Sequence, residues 1–282
     1  MTFDRARLLL IGGLILGVTG CASRTPSVAL PTQSSSSVRV QHRWLLLHLS
    51  RPAANTSRHP LVVFVTGDGG WRGKDLDAFN HLVEWGYPVV AFSAPDYLNH
   101  LAHGAESVLP SVLADDFVGV IDVARRDFGL PPAVPVVLTG VSRGADLVVV
   151  AAAQGALRAP VAGVLAVALT KEEEYVRHHR HGRRQERAAP HDSDWVIAEP
   201  YALLPDVQAP VCVIQSAHDE YVPAAQARTL FGPDTSTRRL YAIGSRNHSF
   251  SDARHDLYEA MRTSLAWLAA PAGATPAAGG GH

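Results

Sequence analysis

Cysteine is nearly absent, with two in 282 residues. That excludes a disulfide scaffold and a four-thiolate metal site, although an even pair behind an export signal still admits one bridge. An excess of charge of either sign is also missing. A net charge of -1 and a pI near 6.9 give no electrostatic case for binding nucleic acid. Neither G-x-x-x-x-G-K-[ST] nor G-x-G-x-x-G occurs, so the two common nucleotide cradles are excluded. There is no internal repeat. Apolar residues are plentiful, at 47% against 18% charged, which is enough for the buried core of one domain of moderate size. It also argues against a disordered chain.

The N-terminus reads as an address. Arg5 and Arg7 precede an apolar run from Leu8 to Leu16, followed by Val18, Thr19, Gly20 and Cys21. A basic start, a short apolar stretch and small residues describe a secretory signal over residues 1–20, and the run is too short for a comfortable membrane-spanning helix. Small residues directly before a cysteine resemble a bacterial lipobox. The resemblance implies cleavage before Cys21, its lipidation, and a membrane-anchored periplasmic protein. Ala22, rather than an aspartate, follows the cysteine, which leans towards the outer membrane. Residues 21–37 are Ser-, Thr- and Pro-rich and are expected to form a flexible tether. Residues 271–282 are Ala, Gly and Pro, expected to be a disordered tail. The folded domain is then residues 38–270.

Within it, short apolar runs alternate with helical spacing. Strands are expected at Val40–Leu49, Leu61–Thr66, Pro88–Phe92, Val134–Thr139, Val161–Leu169, Val211–Gln215 and Arg239–Ile243. Helices are expected at Asp75–Trp85, Val108–Phe128, Arg143–Leu157 and Asp252–Leu268. This alternation predicts an α/β protein with a mostly parallel sheet covered by helices on both faces. Residues 171–200 are polar and interrupt the pattern, as a lid insertion would.

Gly140-Val141-Ser142-Arg143-Gly144 follows an apolar strand and opens a helix. In that context G-x-S-x-G is a nucleophile elbow. The glycines remove Cβ atoms where strand and helix crowd, Ser142 is presented at the sheet edge, and the Arg143 N–H supplies half of an oxyanion hole. A serine nucleophile needs a base, and the base needs an orienting acid, in the order Ser, Asp or Glu, His. Asp219 follows the strand that ends at Gln215, and His248 lies between the last strand and the last helix. Glu220 is the rival acid. His218 precedes the acid and sits wrongly in the order, and His255 lies within a helix. The second oxyanion donor belongs on the loop after an early strand, Thr66-Gly67-Asp68-Gly69-Gly70-Trp71, at the N–H of Asp68 or alternatively Gly69. No metal or organic cofactor is required by this chemistry.

Together these residues resemble a named family. Thr66-Gly67-Asp68-Gly69-Gly70-Trp71 followed by Asp75 is similar to the S-G-D-G-G-W loop of the VirJ/AcvB family of bacterial virulence proteins. Gly140-Val141-Ser142-Arg143-Gly144-Ala145-Asp146 resembles its G-Y-S-F-G-A-D elbow, with Arg143 in place of an aromatic residue. Gly86-Tyr87-Pro88-Val89-Val90 fits the segment between them. The resemblance implies a periplasmic α/β hydrolase cleaving the aminoacyl ester of lysyl- or alanyl-phosphatidylglycerol. A phospholipid substrate would suit a lipid-anchored enzyme. An aminoacyl substrate carries an α-ammonium, for which Asp68, Asp96 and Asp146 are candidate partners, with Trp71 as a pocket wall. Asp146 is equally placed to interact with the helix dipole. Arg143 is either a contact for the lipid phosphate or a solvated side chain. The Arg/His-rich stretch 177–191 reads as a solvated lid, an anionic head-group contact or a metal site. A general carboxylesterase or lipase, and a non-enzymatic secretion-accessory protein on the same fold, are the alternatives. Protein partners are unknown, and Cys212 is expected to be a packing residue in a buried strand.

Overall fold

The computed structural model describes residues 32–40, 42–52, 59–104, 110–155, 157, 160–177 and 195–270. Cys21, the expected signal over residues 1–20 and the expected tail over 271–282 lie outside them. Eight strands form one sheet in the order β1-β2-β4-β3-β5-β6-β9-β10. These are β1 (Thr32–Val40), β2 (Arg43–Arg51), β3 (Leu61–Val65), β4 (Val89–Phe92), β5 (Val136–Val141), β6 (Val161–Val167), β9 (Val211–Ser216) and β10 (Arg238–Ile243). From β4 to β10 every pairing is parallel, while β1–β2 and β2–β4 are antiparallel. The expected mostly parallel sheet is therefore present, with an antiparallel hairpin at one edge.

Helices cover both faces. On one side α1 (Gly73–Glu84) and α7 (Arg254–Ala269) pack on the sheet through Phe79, Leu82, Met261 and Leu265. The other side carries α2 (Ala94–Gly104), α3 (Pro110–Phe128), α4 (Arg143–Ala153), α5 (Pro200–Leu203) and α6 (Ala224–Phe231). The central strands β3, β5 and β9 are buried along their whole length, as sequences apolar at nearly every position require when both faces are covered. Among the described residues no helix is long and apolar enough to cross a membrane.

Three expectations need correction. The tether was expected to run through Ser37, but β1 starts at Thr32. Its serine run has little apolar content of its own; pairing with the leucine-rich β2, from Thr32 opposite Arg51 to Val40 opposite Arg43, makes it a strand. The single strand expected over Val40–Leu49 is accordingly the second arm of a hairpin. Two helices, α2 and α6, were not among the expected ones, although each buries an apolar stripe: Tyr97, Leu98 and Leu101 on α2, and Ala224, Ala227 and Phe231 on α6. Ser93 caps the start of α2: its hydroxyl accepts the Asp96 N–H (3.3 Å) and its carbonyl accepts the Tyr97 N–H (3.0 Å). In the insertion, β7 (Glu173–Arg177) and β8 (Trp195–Ala198) form a separate antiparallel pair. Residues 178–194, with most of the Arg/His-rich stretch, lie outside the described residues.

Candidate active site

Ser142 sits between β5 and α4 with φ 54° and ψ -123°, a left-handed conformation that an L-residue adopts only when its surroundings enforce it. The enforcement is close backbone contact. A Cβ on Gly140 would run into the Gly144 carbonyl, and one on Gly144 into the carbonyls of Val65 and Thr66. Glycine at both positions lets α4 start directly against β3 and β5. The Ser142 N–H donates to Val167 O (2.8 Å), and the Ser142 carbonyl accepts from Ala145 (2.7 Å) and Asp146 (3.1 Å), starting the helix.

His248 reaches this serine across 106 residues of sequence. Its Nε2 lies 2.8 Å from Ser142 Oγ, and its Nδ1 lies 2.7 Å from Asp219 Oδ2. An ionised carboxylate can only accept, so Nδ1 carries the proton and Nε2 is left to accept from the serine hydroxyl. Asp219 is completely buried, yet every side of its carboxylate is met. Oδ2 also accepts from Gln215 Nε2 (3.0 Å), and Oδ1 accepts from the backbone N–H groups of Tyr221 (2.9 Å) and Val222 (3.2 Å). Glu220 takes a different place: its Oε2 accepts the backbone N–H of His248 at 2.6 Å. It holds the loop, and Asp219 holds the imidazole. Tyr221 covers the imidazole edge-on, with ring centroids 4.8 Å apart.

The loop after β3 is seated on the elbow. A Cβ on Gly67 would lie 3.1 Å from Val141 O and 3.3 Å from Ser142 Cβ. A turn closes over it, Gly70 N–H to Gly67 O at 3.0 Å. The turn is latched to the elbow by an ion pair, Arg143 Nη1 to Asp68 Oδ1 at 2.8 Å. Asp68, Gly69 and Arg143 are thus brought together beside Ser142. The Arg143 side chain is therefore engaged with Asp68, which replaces the expectation of a solvated guanidinium.

The remaining candidates part company. Asp146 is fully buried, and its two oxygens accept from Thr170 N (2.9 Å) and Thr170 Oγ1 (2.8 Å). It ties α4 to the segment after β6, so the expectation that it binds substrate is corrected: a carboxylate so enclosed presents no surface to a ligand. Asp96 is exposed at the start of α2, and its charge faces His48, opposing the downward pull that burial exerts on the imidazole's pKa. Trp71 is half-buried and stacks on His48 at 3.7 Å and 3°, with Phe79 at its edge. Cys212 is a buried free thiol whose Sγ–H donates to Ser264 Oγ at 3.0 Å, and burial pushes its pKa up to about 12. It packs, as expected.

Asp75 follows the glycine-rich loop in sequence, and nothing in its local pattern assigns it a role. It is buried in the first turn of α1, directly beneath the loop. A Cβ on Gly69 would stand 3.4 Å from its Oδ2. Neither oxygen meets a donor in good geometry among the described residues. Burial raises its pKa to about 6, against the lowering influence of Lys74, the Gly67 backbone and Arg254.

A parallel sheet with a strained serine elbow after β5, an acid after β9 and a histidine after β10 defines an α/β-hydrolase fold. Solved structures share it. A protein named as a dienelactone hydrolase of Klebsiella pneumoniae is 16% identical, with 86% of this chain and 99% of that one aligned at TM-score 0.57. The dienelactone hydrolase of Anabaena variabilis is 18% identical over 85% and 97% of the two chains, with TM-score 0.57. Est1E of Butyrivibrio proteoclasticus is 16% identical over 84% and 99%, with TM-score 0.54. Such identities speak for the fold alone. No curated protein matches the sequence. The family described as bacterial virulence protein (VirJ) matches residues 59–196, so that segment is similar to the VirJ family. The match holds the loop and the elbow; Asp219 and His248 lie beyond it.

Proposed function

We propose that this protein is a serine ester hydrolase acting on the aminoacyl ester of lysyl- or alanyl-phosphatidylglycerol, at the periplasmic surface of the membrane to which Cys21 anchors it. The observation that carries the reaction class is the continuous relay from Asp219 through His248 to Ser142, ending on a strained elbow. His248 Nε2 removes the hydroxyl proton as Ser142 Oγ attacks the ester carbonyl. The developing oxyanion lies against the backbone N–H groups of Arg143 and Asp68, with Gly69 as the neighbouring donor. The C–O bond to the glycerol breaks, His248 returns its proton to the leaving alkoxide, and phosphatidylglycerol departs as the alcohol. Water, deprotonated by His248, then attacks the aminoacyl-serine and releases the free amino acid and the serine.

Asp219 stabilises the imidazolium formed in both halves and keeps the ring in the productive tautomer. Exposed Asp96, at the start of α2 beside the Trp71–His48 stack, is the carboxylate left to meet the α-ammonium, because Asp68 is paired with Arg143 and Asp146 is enclosed. The substrate assignment is supported by the G-D-G-G-W loop of the VirJ family and by the export and lipidation signals. The test is incubation with lysyl-, alanyl- and unmodified phosphatidylglycerol. Release of amino acid, abolished by Ser142→Ala, is expected. Release of fatty acid instead would replace this reading by a lipase. Failure of a fluorophosphonate to label Ser142 would replace it by a non-enzymatic role.

A further inference from the structure

The first hairpin holds a surface that the reaction does not use. Leu45, Leu47 and Leu49 of β2 point into the core, and β1 rests on α3, where Val38 packs against Gly119. The opposite face carries Trp44, Leu46 and His48 in alternate positions. Only His48 is covered, by Trp71. Trp44 is 68% exposed and Leu46 53%, two of the four large apolar side chains exposed among the described residues. Arg39 stands directly opposite Trp44 in the pairing and shares its face, whereas Arg43, one residue before Trp44, is on the other face at the hairpin tip; both are exposed. Residues 32–51 hold no aspartate or glutamate, in a chain whose net charge is only -1.

The register sets where this face lies. His48 pairs with Ala91, so Leu47 is level with Phe92, the last residue of β4. The β2 residues from Leu46 back to Arg43 therefore run past the carboxyl end of the parallel strands, by about 14 Å at 3.4 Å per residue. That is the end of the sheet on which Ser142 and the loop after β3 are found. Through the Trp71–His48 stack, the exposed strip is continuous with that loop.

We infer that the tip of the β1–β2 hairpin is a docking finger for an anionic phospholipid surface, with Trp44 and Leu46 entering the interface and Arg39 and Arg43 on the phosphates. Tryptophan beside aliphatic side chains suits the water–lipid boundary, and uncompensated arginines suit its negative charge. The inference rests on the lipid-substrate reading for its purpose, but the surface itself stands on exposure, charge and register. Docking here sets the membrane beside the mouth of the site, so a lipid ester need leave the bilayer only partly to reach Ser142.

The test places the full-length protein, with Ser142→Ala to prevent turnover, on vesicles of brominated phosphatidylglycerol or brominated phosphatidylcholine. Bromine quenches tryptophan at the interface, and the difference between this protein and the same protein with Trp44→Phe isolates Trp44 from the other four tryptophans. Trp44 emission is expected to be quenched on phosphatidylglycerol and much less on phosphatidylcholine. Arg39→Gln and Arg43→Gln should each weaken the quenching by roughly fivefold in lipid concentration, while hydrolysis of a soluble short-chain ester by protein retaining Ser142 stays unchanged. No difference between parent and Trp44→Phe, or equal Trp44 quenching on both lipids, overturns the finger. Because quenching needs no turnover, a finger that docks while no amino acid is released from aminoacylated lipid would overturn the substrate and leave the finger standing.

Discussion

Asp75→Asn should stabilise the protein at neutral pH and not at acid pH. The side chain is 1% exposed, and burial lifts its pKa from 3.8 to about 6. Lys74 and Arg254 pull it down and Asp68 pushes it up, but burial outweighs them. An acid whose folded pKa exceeds its unfolded one binds more protons when folded. Stability therefore falls as pH rises from about 4 to about 6, and the full penalty is present above that window. The rise corresponds to roughly 3 kcal/mol on the ionised form. Asparagine keeps the shape and removes the charge, so the variant should gain up to about 3 kcal/mol over the parent at pH 7.5, or roughly 5–10 °C in Tm, and little at pH 4.5. Urea unfolding of both proteins at the two pH values measures the difference directly, and taking the difference cancels the other titrating groups. A variant less stable than its parent at pH 7.5, by more than at pH 4.5, would refute the reasoning. Such a result would mean that Asp75 is ionised and held by partners, for example by the backbone N–H groups of the loop above it.

Two further predictions concern the site. Asp219→Asn should lower kcat/KM on any ester by about 10³- to 10⁴-fold, because the amide stabilises neither the imidazolium nor the required tautomer, whereas Glu220→Gln, which keeps an acceptor for the His248 N–H, should lose less than about tenfold. Equal losses would mean that the two acids share the role. Gly144→Ala should cost at least about 3 kcal/mol in urea unfolding, since the added methyl meets the carbonyls of Val65 and Thr66 and neither backbone can retreat without unseating β3. A soluble, fully active Gly144→Ala protein would show that the elbow is looser than its contacts imply.

The relay was legible in sequence because each member follows an apolar run. Val134–Thr139, Val211–Gln215 and Arg239–Ile243 announce strands, and residues after parallel strands arrive at one end of the sheet by topology. The sequence favoured Asp219 over Glu220, but the physical reason for that choice was not legible. The two acids are adjacent, and only the turn that sends the Tyr221 and Val222 N–H groups to Asp219 aims one of them at the imidazole. The same limit applied to Asp146, whose position in the first turn of a helix gives no sign of Thr170, 24 residues on. Arg143 and Asp68 find each other across 75 residues for an equally non-local reason.

The amino-acid sequence alone determined the parallel sheet, the elbow and the order of serine, acid and base, because periodicity, glycine spacing and chain order are local or topological properties. Only the tertiary structure decided which carboxylates are bound, which lies enclosed with no donor in good geometry among the described residues, and which face of the first hairpin stays bare. Those outcomes depend on what packs against each side chain. The serine-rich β1 makes the point most directly: residues 32–37 have the composition of a tether, yet they become a strand because β2 offers them a row of backbone partners.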